Sequence, residues 1–254
     1  MHKTPHIHGH RGARATMTEN VMPTFHYTAN TGCDGIEIDI NMTSDKVPVI
    51  FHDRHINEKL IKDMSLIELQ NIPLGQNSDP LFPQQLAVEA KVPTLAEFFE
   101  FMNTKMELTL NLEIKSCVFH PDETWPAKDF VKCVLNLLNE YEVSKERVFF
   151  QSFDPRFLMS LFKADPAWRT SFLVDEWSDD LAEVCEELQV SDVSPRFSVL
   201  NADKCAYLLE NGLKIHAWTP NTPSHWQYLH EWGVETLITD EPAKAVEWRK
   251  SLSS

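Results

Sequence analysis

Gly35-Ile36-Glu37-Ile38-Asp39-Ile40-Asn41 alternates isoleucine with an acid or an amide over seven residues. A β-strand turns successive side chains to opposite faces, so Glu37 and Asp39 share one face while Ile36, Ile38 and Ile40 share the other. If the isoleucines pack against outer helices, the acids point into the interior of a barrel. Unpaired charge is costly there, and two neighbouring carboxylates resist joint ionisation unless a cation lies between them. The stretch reads as a strand buried on both sides that carries chemistry on its inner face. All-oxygen donors of this kind select Mg²⁺ or Ca²⁺ over zinc or copper.

Working outward, strand-like runs recur at His6–His10, Gly35–Asn41, 108–115, 147–152, 170–174, 190–193, Lys214–Trp218 and 235–239. Helical stripes lie between them: Leu95, Phe98, Phe99 and Met102; Phe130, Val134, Leu137, Leu138 and Tyr141; Leu181, Val184, Cys185 and Leu188. Pro155 and Pro242 sit where helices begin, Gly212 and Gly233 where they end. Eight strands in alternation with helices predict an α/β chain folded as a (β/α)8 TIM barrel, for which 254 residues is an ordinary length. A doubly wound open sheet of six or seven strands is the competing count. Residues 54–93 break the rhythm with four prolines and one short helical signal at Leu66–Leu69. They read as a small insertion after the second strand region, at the barrel mouth, within a single domain spanning 1–254.

The formal net charge of −15 disfavours nucleic acid and anionic lipid surfaces as partners, and no stable membrane association is expected. Five widely spaced cysteines with no CxxC pair read as reduced, mostly buried thiols. Residues 1–16 carry no apolar signal segment, and no run approaches membrane-spanning length, so a cytoplasmic protein is expected.

Leu112-Glu113-Ile114-Lys115 repeats the alternation of the first acidic strand, which makes Glu113 a third candidate ligand and Lys115 its neighbour on the same face. His10 ends the first strand and is followed by Arg11 and Gly12, a phosphate-binding cation and a residue that permits close backbone approach. His52 ends the extended run Val47–Phe51 just before the insertion. Both histidines suit acid/base work. His6, His8, His26, His216 and His230 read as satisfied packing residues. His8-Gly9-His10 with Asp240 also fits an amidohydrolase-type metal site, although strand four ends in Gln151-Ser152 where that class needs a lysine.

His10-Arg11-Gly12-Ala13, Glu19-Asn20, Glu37-Ile38-Asp39, His52-Asp53, Pro93-Thr94-Leu95, Glu113-Ile114-Lys115, Gln151-Ser152-Phe153, Trp218-Thr219-Pro220-Asn221 and Thr239-Asp240-Glu241-Pro242 together resemble the glycerophosphodiester phosphodiesterase family over essentially the whole chain. The resemblance implies a TIM barrel that uses a divalent cation to hydrolyse glycerophosphodiesters, its small-molecule substrates, to an alcohol and sn-glycerol 3-phosphate. It implies His10 and His52 as the acid/base pair and Glu37, Asp39 and Glu113 as metal ligands. Arg11 and Lys115 would then bind phosphate, Trp218 would wall the glycerol, and Glu19, Asn20 and Gln151 would support the site. A lysophospholipid- or sphingolipid-type phosphodiesterase on the same fold is the nearest alternative. The chain departs from the family at Thr18 and Val21, which flank Glu19-Asn20, and at Lys46, where Asp-Gly is common.

Overall fold

A computed structural model describes residues 3–252; Met1, His2, Ser253 and Ser254 of the 1–254 assignment lie outside the described residues. Eight parallel strands, β1 (His6–Gly9), β2 (Gly35–Met42), β6 (Thr109–Ile114), β7 (Val148–Ser152), β8 (Arg169–Val174), β9 (Asp192–Pro195), β10 (Lys214–Trp218) and β11 (Thr236–Thr239), are joined edge to edge. β1 pairs with both β2 and β11, which closes the barrel and rules out the open sheet. Helices α1 (Met22–Ala29), α3 (Leu95–Asn103), α4 (Ala127–Glu140), α5 (Pro155–Ala164), α6 (Leu181–Glu187), α7 (Ala202–Glu210), α8 (Pro223–Glu231) and α9 (Pro242–Ser251) follow the strands in turn. The short β3 (Pro48–Ile50) adds an antiparallel edge to β2. The insertion holds β4 (His55–Ile56), β5 (Lys59–Leu60) and α2 (Leu66–Gln70).

The isoleucine face of β2 packs as the alternation requires: Ile36, Ile38 and Ile40 are fully buried in a cluster with Phe25, Phe98 and Phe130. α3 starts where Thr94 caps the amide of Glu97 and Glu97 bonds back to Thr94. It buries all four residues of its stripe, and Phe98 meets Phe25 edge-on with centroids 5.0 Å apart. Each such aromatic contributes about 2–3 kcal/mol from burial alone. In α4, Phe130, Val134 and Leu138 are buried, while Leu137 and Tyr141 pack at the margin.

Two expectations about strands needed correction. Strand six begins at Asp192, not at 190, because Gln189 takes a left-handed φ of 56° and Val190 donates to the Cys185 carbonyl, ending α6 in place of opening a strand. The insertion also holds a hairpin unseen in sequence. Asn57 and Glu58 take φ of 48° and 66°, the conformation usually announced by Asn-Gly, and glutamate conceals it. The insertion shares a separate core with β3: Val49, Ile56, Ile61, Met64, Leu69 and Val92. It is stitched to the loop after β1 by Leu86–Thr16, Thr18–Leu86 and Val88–Thr18 hydrogen bonds. The departure at Thr18 thus has a use, since its hydroxyl accepts the Val88 amide.

At the N-terminal end of the barrel, Phe149 lies between His8 and His216, with centroids 5.7 and 4.8 Å away. His8 bonds Thr109, and His216 bonds Asp192, which also pairs with Arg169. The packing reading holds for these two histidines but not for His6 and His26, which are exposed. Of the five free cysteines, only Cys185 and Cys205 are buried and the others are half-buried.

Burial, aided by His216, pushes the His8 pKa down from 6.5 to about 3. The unfolded chain takes up this proton near 6.5 while the folded protein refuses it until about 3. Stability is therefore lost as pH falls through that window, by about 3 kcal/mol at pH 4 from this group. His8→Gln should lose correspondingly less between pH 7 and pH 4 in urea unfolding. Parallel losses in the two proteins would contradict this origin.

Candidate active site

The loop after β1 turns sharply enough to bring backbone to the acids. A Cβ on Gly9 would lie 2.0 Å from the Gly12 carbonyl oxygen, and Gly12 takes a φ of 89° that favours glycine. Arg11, between them, also adopts a left-handed φ of 49°, which points its amide at Glu37 Oε2, 2.9 Å away. Asn20, at φ 54°, donates its side-chain amide to Asp39 Oδ2 at 2.8 Å. Strain of this kind persists only where surrounding contacts hold it, and it gathers at functional sites.

β2 and β6 run in register, so Asp39 sits beside Glu113. Carboxylate oxygens of Glu37, Asp39 and Glu113 all lie within 4.8 Å of one another, and all three residues are buried. Lys115 Nζ lies 2.6 Å from Glu113 and 3.4 Å from Asp39, and Arg11 Nε lies 3.2 Å from Asp39. The balance differs from one acid to the next. Burial, then the charges of Asp39 and Glu113, push Glu37 well above the usual carboxylate range. Burial also opposes ionisation of Asp39, but Lys115 and Arg11 outweigh it and hold that carboxyl far below its usual range. Glu37 is thus an acid whose ionised form lacks a sufficient counter-charge, and three hard oxygen donors converge where a divalent cation would supply it. The residues fit such an ion.

His10 Nδ1 lies 2.6 Å from Asp240 Oδ1, and its Nε2 lies 4.0 Å from Glu37 Oε2. Asp240 is buried, and Asn221 donates to its Oδ2 at 2.6 Å while accepting the Asp240 amide at 2.9 Å. Burial disfavours the Asp240 anion, but His10 and Asn221 hold its pKa below the ordinary value. His52, half-buried, pairs its Nδ1 with Asp53 at 2.7 Å.

One cavity of about 280 Å³ is lined by His10, Arg11, Glu37, His52, Glu113 and Lys115, with Gln151 and Trp218 in its wall. Asp39 and Asn20 lie directly against this lining, and Glu19 pairs with Arg11 at 2.9 Å. Gln151 approaches Glu37 at 3.5 Å. Trp218 is oriented by its indole N–H donating to the Ser194 carbonyl and by the edge of Phe153. Every site residue implied by the resemblance therefore falls in or against this cavity. Arg14 and Phe153 also line it, and Asp240 and Asn221 stand behind His10; the resemblance gave none of them a role, and Asp240 had one only in the amidohydrolase-type alternative. The signals were present as a second arginine shortly after Arg11 and as polar residues just past strands seven and eight. His8 points away to Thr109 and Asp240 is taken by His10, so the HxH metal reading is discarded.

A closed parallel barrel with acids, histidines, an arginine and a lysine gathered at its C-terminal mouth is the arrangement of a (β/α)8 enzyme. The sequence model of the glycerophosphoryl diester phosphodiesterase family matches residues 10–244, and the chain belongs to that family of phosphoric diester hydrolases. The glycerophosphodiester phosphodiesterase of Caldanaerobacter subterraneus subsp. tengcongensis is 27% identical, over 92% of this chain and 93% of its own. Among solved structures, a candidate glycerophosphoryl diester phosphodiesterase of Silicibacter pomeroyi superposes with a TM-score of 0.90 at 24% identity, covering 98% of this chain and 94% of its own. An Oleispira antarctica phosphodiesterase, solved with the product sn-glycerol-3-phosphate, gives 0.83 at 24% identity, covering 99% and 98%. The two structural likenesses show the barrel fold. Lys46, at the family's Asp-Gly turn, takes a φ of 61°, so the lysine has adopted the backbone that glycine would favour.

Proposed function

We propose that this enzyme hydrolyses glycerophosphodiesters to an alcohol and sn-glycerol 3-phosphate, with Glu37, Asp39 and Glu113 holding Mg²⁺ or Ca²⁺ and with His10 and His52 moving the protons. The observation that carries the reading is the convergence of the three buried carboxylates with both histidines on one cavity. The product bound by the Oleispira protein supports the choice of substrate class. A phosphodiester resists attack because its anionic oxygens repel nucleophiles, so catalysis must offset that charge and protonate the leaving oxygen. A divalent cation on the three acids would supply much of the neutralisation.

The chain's own groups do the rest. Arg11 and Lys115 bind the non-bridging oxygens, and Trp218 walls the glycerol. Asn20 holds Asp39, and Glu19 and Gln151 brace Arg11 and Glu37. One histidine takes a proton from the nucleophile, which is water or the glycerol 2-hydroxyl whose cyclic phosphate water then opens, and the other donates to the departing alkoxide. Among the described residues no helix is long and apolar enough to cross a membrane. The free thiols support a reducing, cytoplasmic setting, and the acidic surface supports a small-molecule partner over nucleic acid or membrane. We take residues 1–254 as one working domain.

The test is release of glycerol 3-phosphate from glycerophosphocholine with Mg²⁺, with Ca²⁺ and with excess chelator. Release with either metal and its loss on chelation is the expected result. Full activity in chelator would overturn the metal assignment. Cleavage of a lysophospholipid in place of glycerophosphocholine would overturn the substrate class.

A further inference from the structure

Five charged side chains alternate in sign from the acid cluster out to the insertion. Asp39 lies 3.2 Å from Arg11, Arg11 2.9 Å from Glu19, Glu19 2.6 Å from Arg14, and Arg14 2.7 Å from Asp79. Arg14 faces the same cavity as Arg11, yet its charge is offset by a carboxylate on each side. Asp79 is built to stay there. Its Oδ1 accepts the Leu81 amide, its own amide donates to Gln85, and Gln85 in turn donates to the Arg14 carbonyl. Phe82 packs under the Arg14 guanidinium, 5.3 Å from centroid to carbon.

The cavity lining thus holds two unlike sets of groups. Phe153, Leu173, Trp218 and Ile238 form an apolar wall, and Arg14 forms a polar one backed by the insertion. Resting on the reading above, in which glycerol lies against Trp218, the leaving alcohol lies along Arg14. We propose that the Arg14–Asp79 pair selects the headgroup. It offers guanidinium donors without net charge, so the enzyme takes diesters of uncharged or cationic alcohols and discriminates against alcohols carrying a further negative charge. Without Asp79, Arg14 keeps only Glu19, which it shares with Arg11, and the cleft gains one positive charge toward such an anion. The net charge of −15 adds to the bias against anionic headgroups.

The experiment compares kcat/KM for glycerophosphocholine, glycerophosphoglycerol and glycerophosphoinositol phosphate in the wild type, Asp79→Asn and Asp79→Glu. The wild type should favour the first two over the third by about tenfold or more. Asp79→Asn should shrink that ratio about fivefold, chiefly through KM for the anionic substrate, and Asp79→Glu should restore it. A ratio unchanged in Asp79→Asn, or a wild type that prefers the anionic substrate, overturns the proposal while leaving the phosphodiesterase reading intact. Release of glycerol 3-phosphate from none of the three overturns both.

Discussion

Alanine in place of His10 is expected to lower kcat about a thousandfold with little change in KM. The geometry explains the size of the effect. The Asp240 carboxylate at 2.6 Å requires the proton on Nδ1, which leaves Nε2 facing Glu37 and the cavity as the atom that exchanges protons with substrate. Asp240 is itself oriented by Asn221. Asp240→Asn should therefore cost about a hundredfold in kcat, because an amide no longer dictates which ring nitrogen is protonated. Removing either His10 or His52 should also abolish one limb of a bell-shaped pH–rate profile. Steady-state kinetics on purified variants decides the matter, and a His10→Ala enzyme within threefold of wild-type kcat would remove His10 from the chemistry.

The second large effect is expected at Glu37, with opposite signs for activity and stability. Glu37→Gln should weaken Mg²⁺ or Ca²⁺ binding about a hundredfold and reduce kcat/KM at least as much, since one of three charged donors is gone. The metal-free protein should respond the other way. Glu37 is pushed above its usual range by burial, Asp39 and Glu113. Its contribution is therefore intact below the unfolded pKa and is lost as pH rises through the folded one. At pH 7 in chelator, Glu37→Gln removes that penalty, so its Tm should exceed the wild type's by a few degrees, while the metal-induced rise in Tm disappears. Calorimetric titration and thermal melts with and without metal measure both halves. A variant that binds metal like the wild type would show that Glu37 is not a ligand.

Much of the site was legible because period-2 alternation is a local property. Ile36-Glu37-Ile38-Asp39 and Leu112-Glu113-Ile114-Lys115 place their charged residues on the inner face of any strand they form, and the burial of the isoleucines bears this out. The helical stripes were legible for the same reason. The Asn57-Glu58 hairpin was not, because its turn residues give a weak signal for the backbone they adopt. The start of strand six was missed because a helix cap and a strand start compete for the same apolar residue, Val190.

By itself, then, the sequence determined the eight barrel strands to within a few residues, the face each acid occupies and the set of ionisable groups from which the site is built. Local dihedral preferences and side-chain alternation suffice for those. Which groups meet was decided by tertiary structure. His10 reaches Asp240, 230 positions away, only because β1 closes the barrel against β11. Arg14 meets Asp79, 65 positions away, only because the insertion folds back onto the loop after β1. Charges so far apart in sequence leave no periodic trace. Their pairing is set by barrel closure and by the core beneath the insertion, which is why the acids of β2 and β6 could be read from the chain while the His10–Asp240 and Arg14–Asp79 pairs could not.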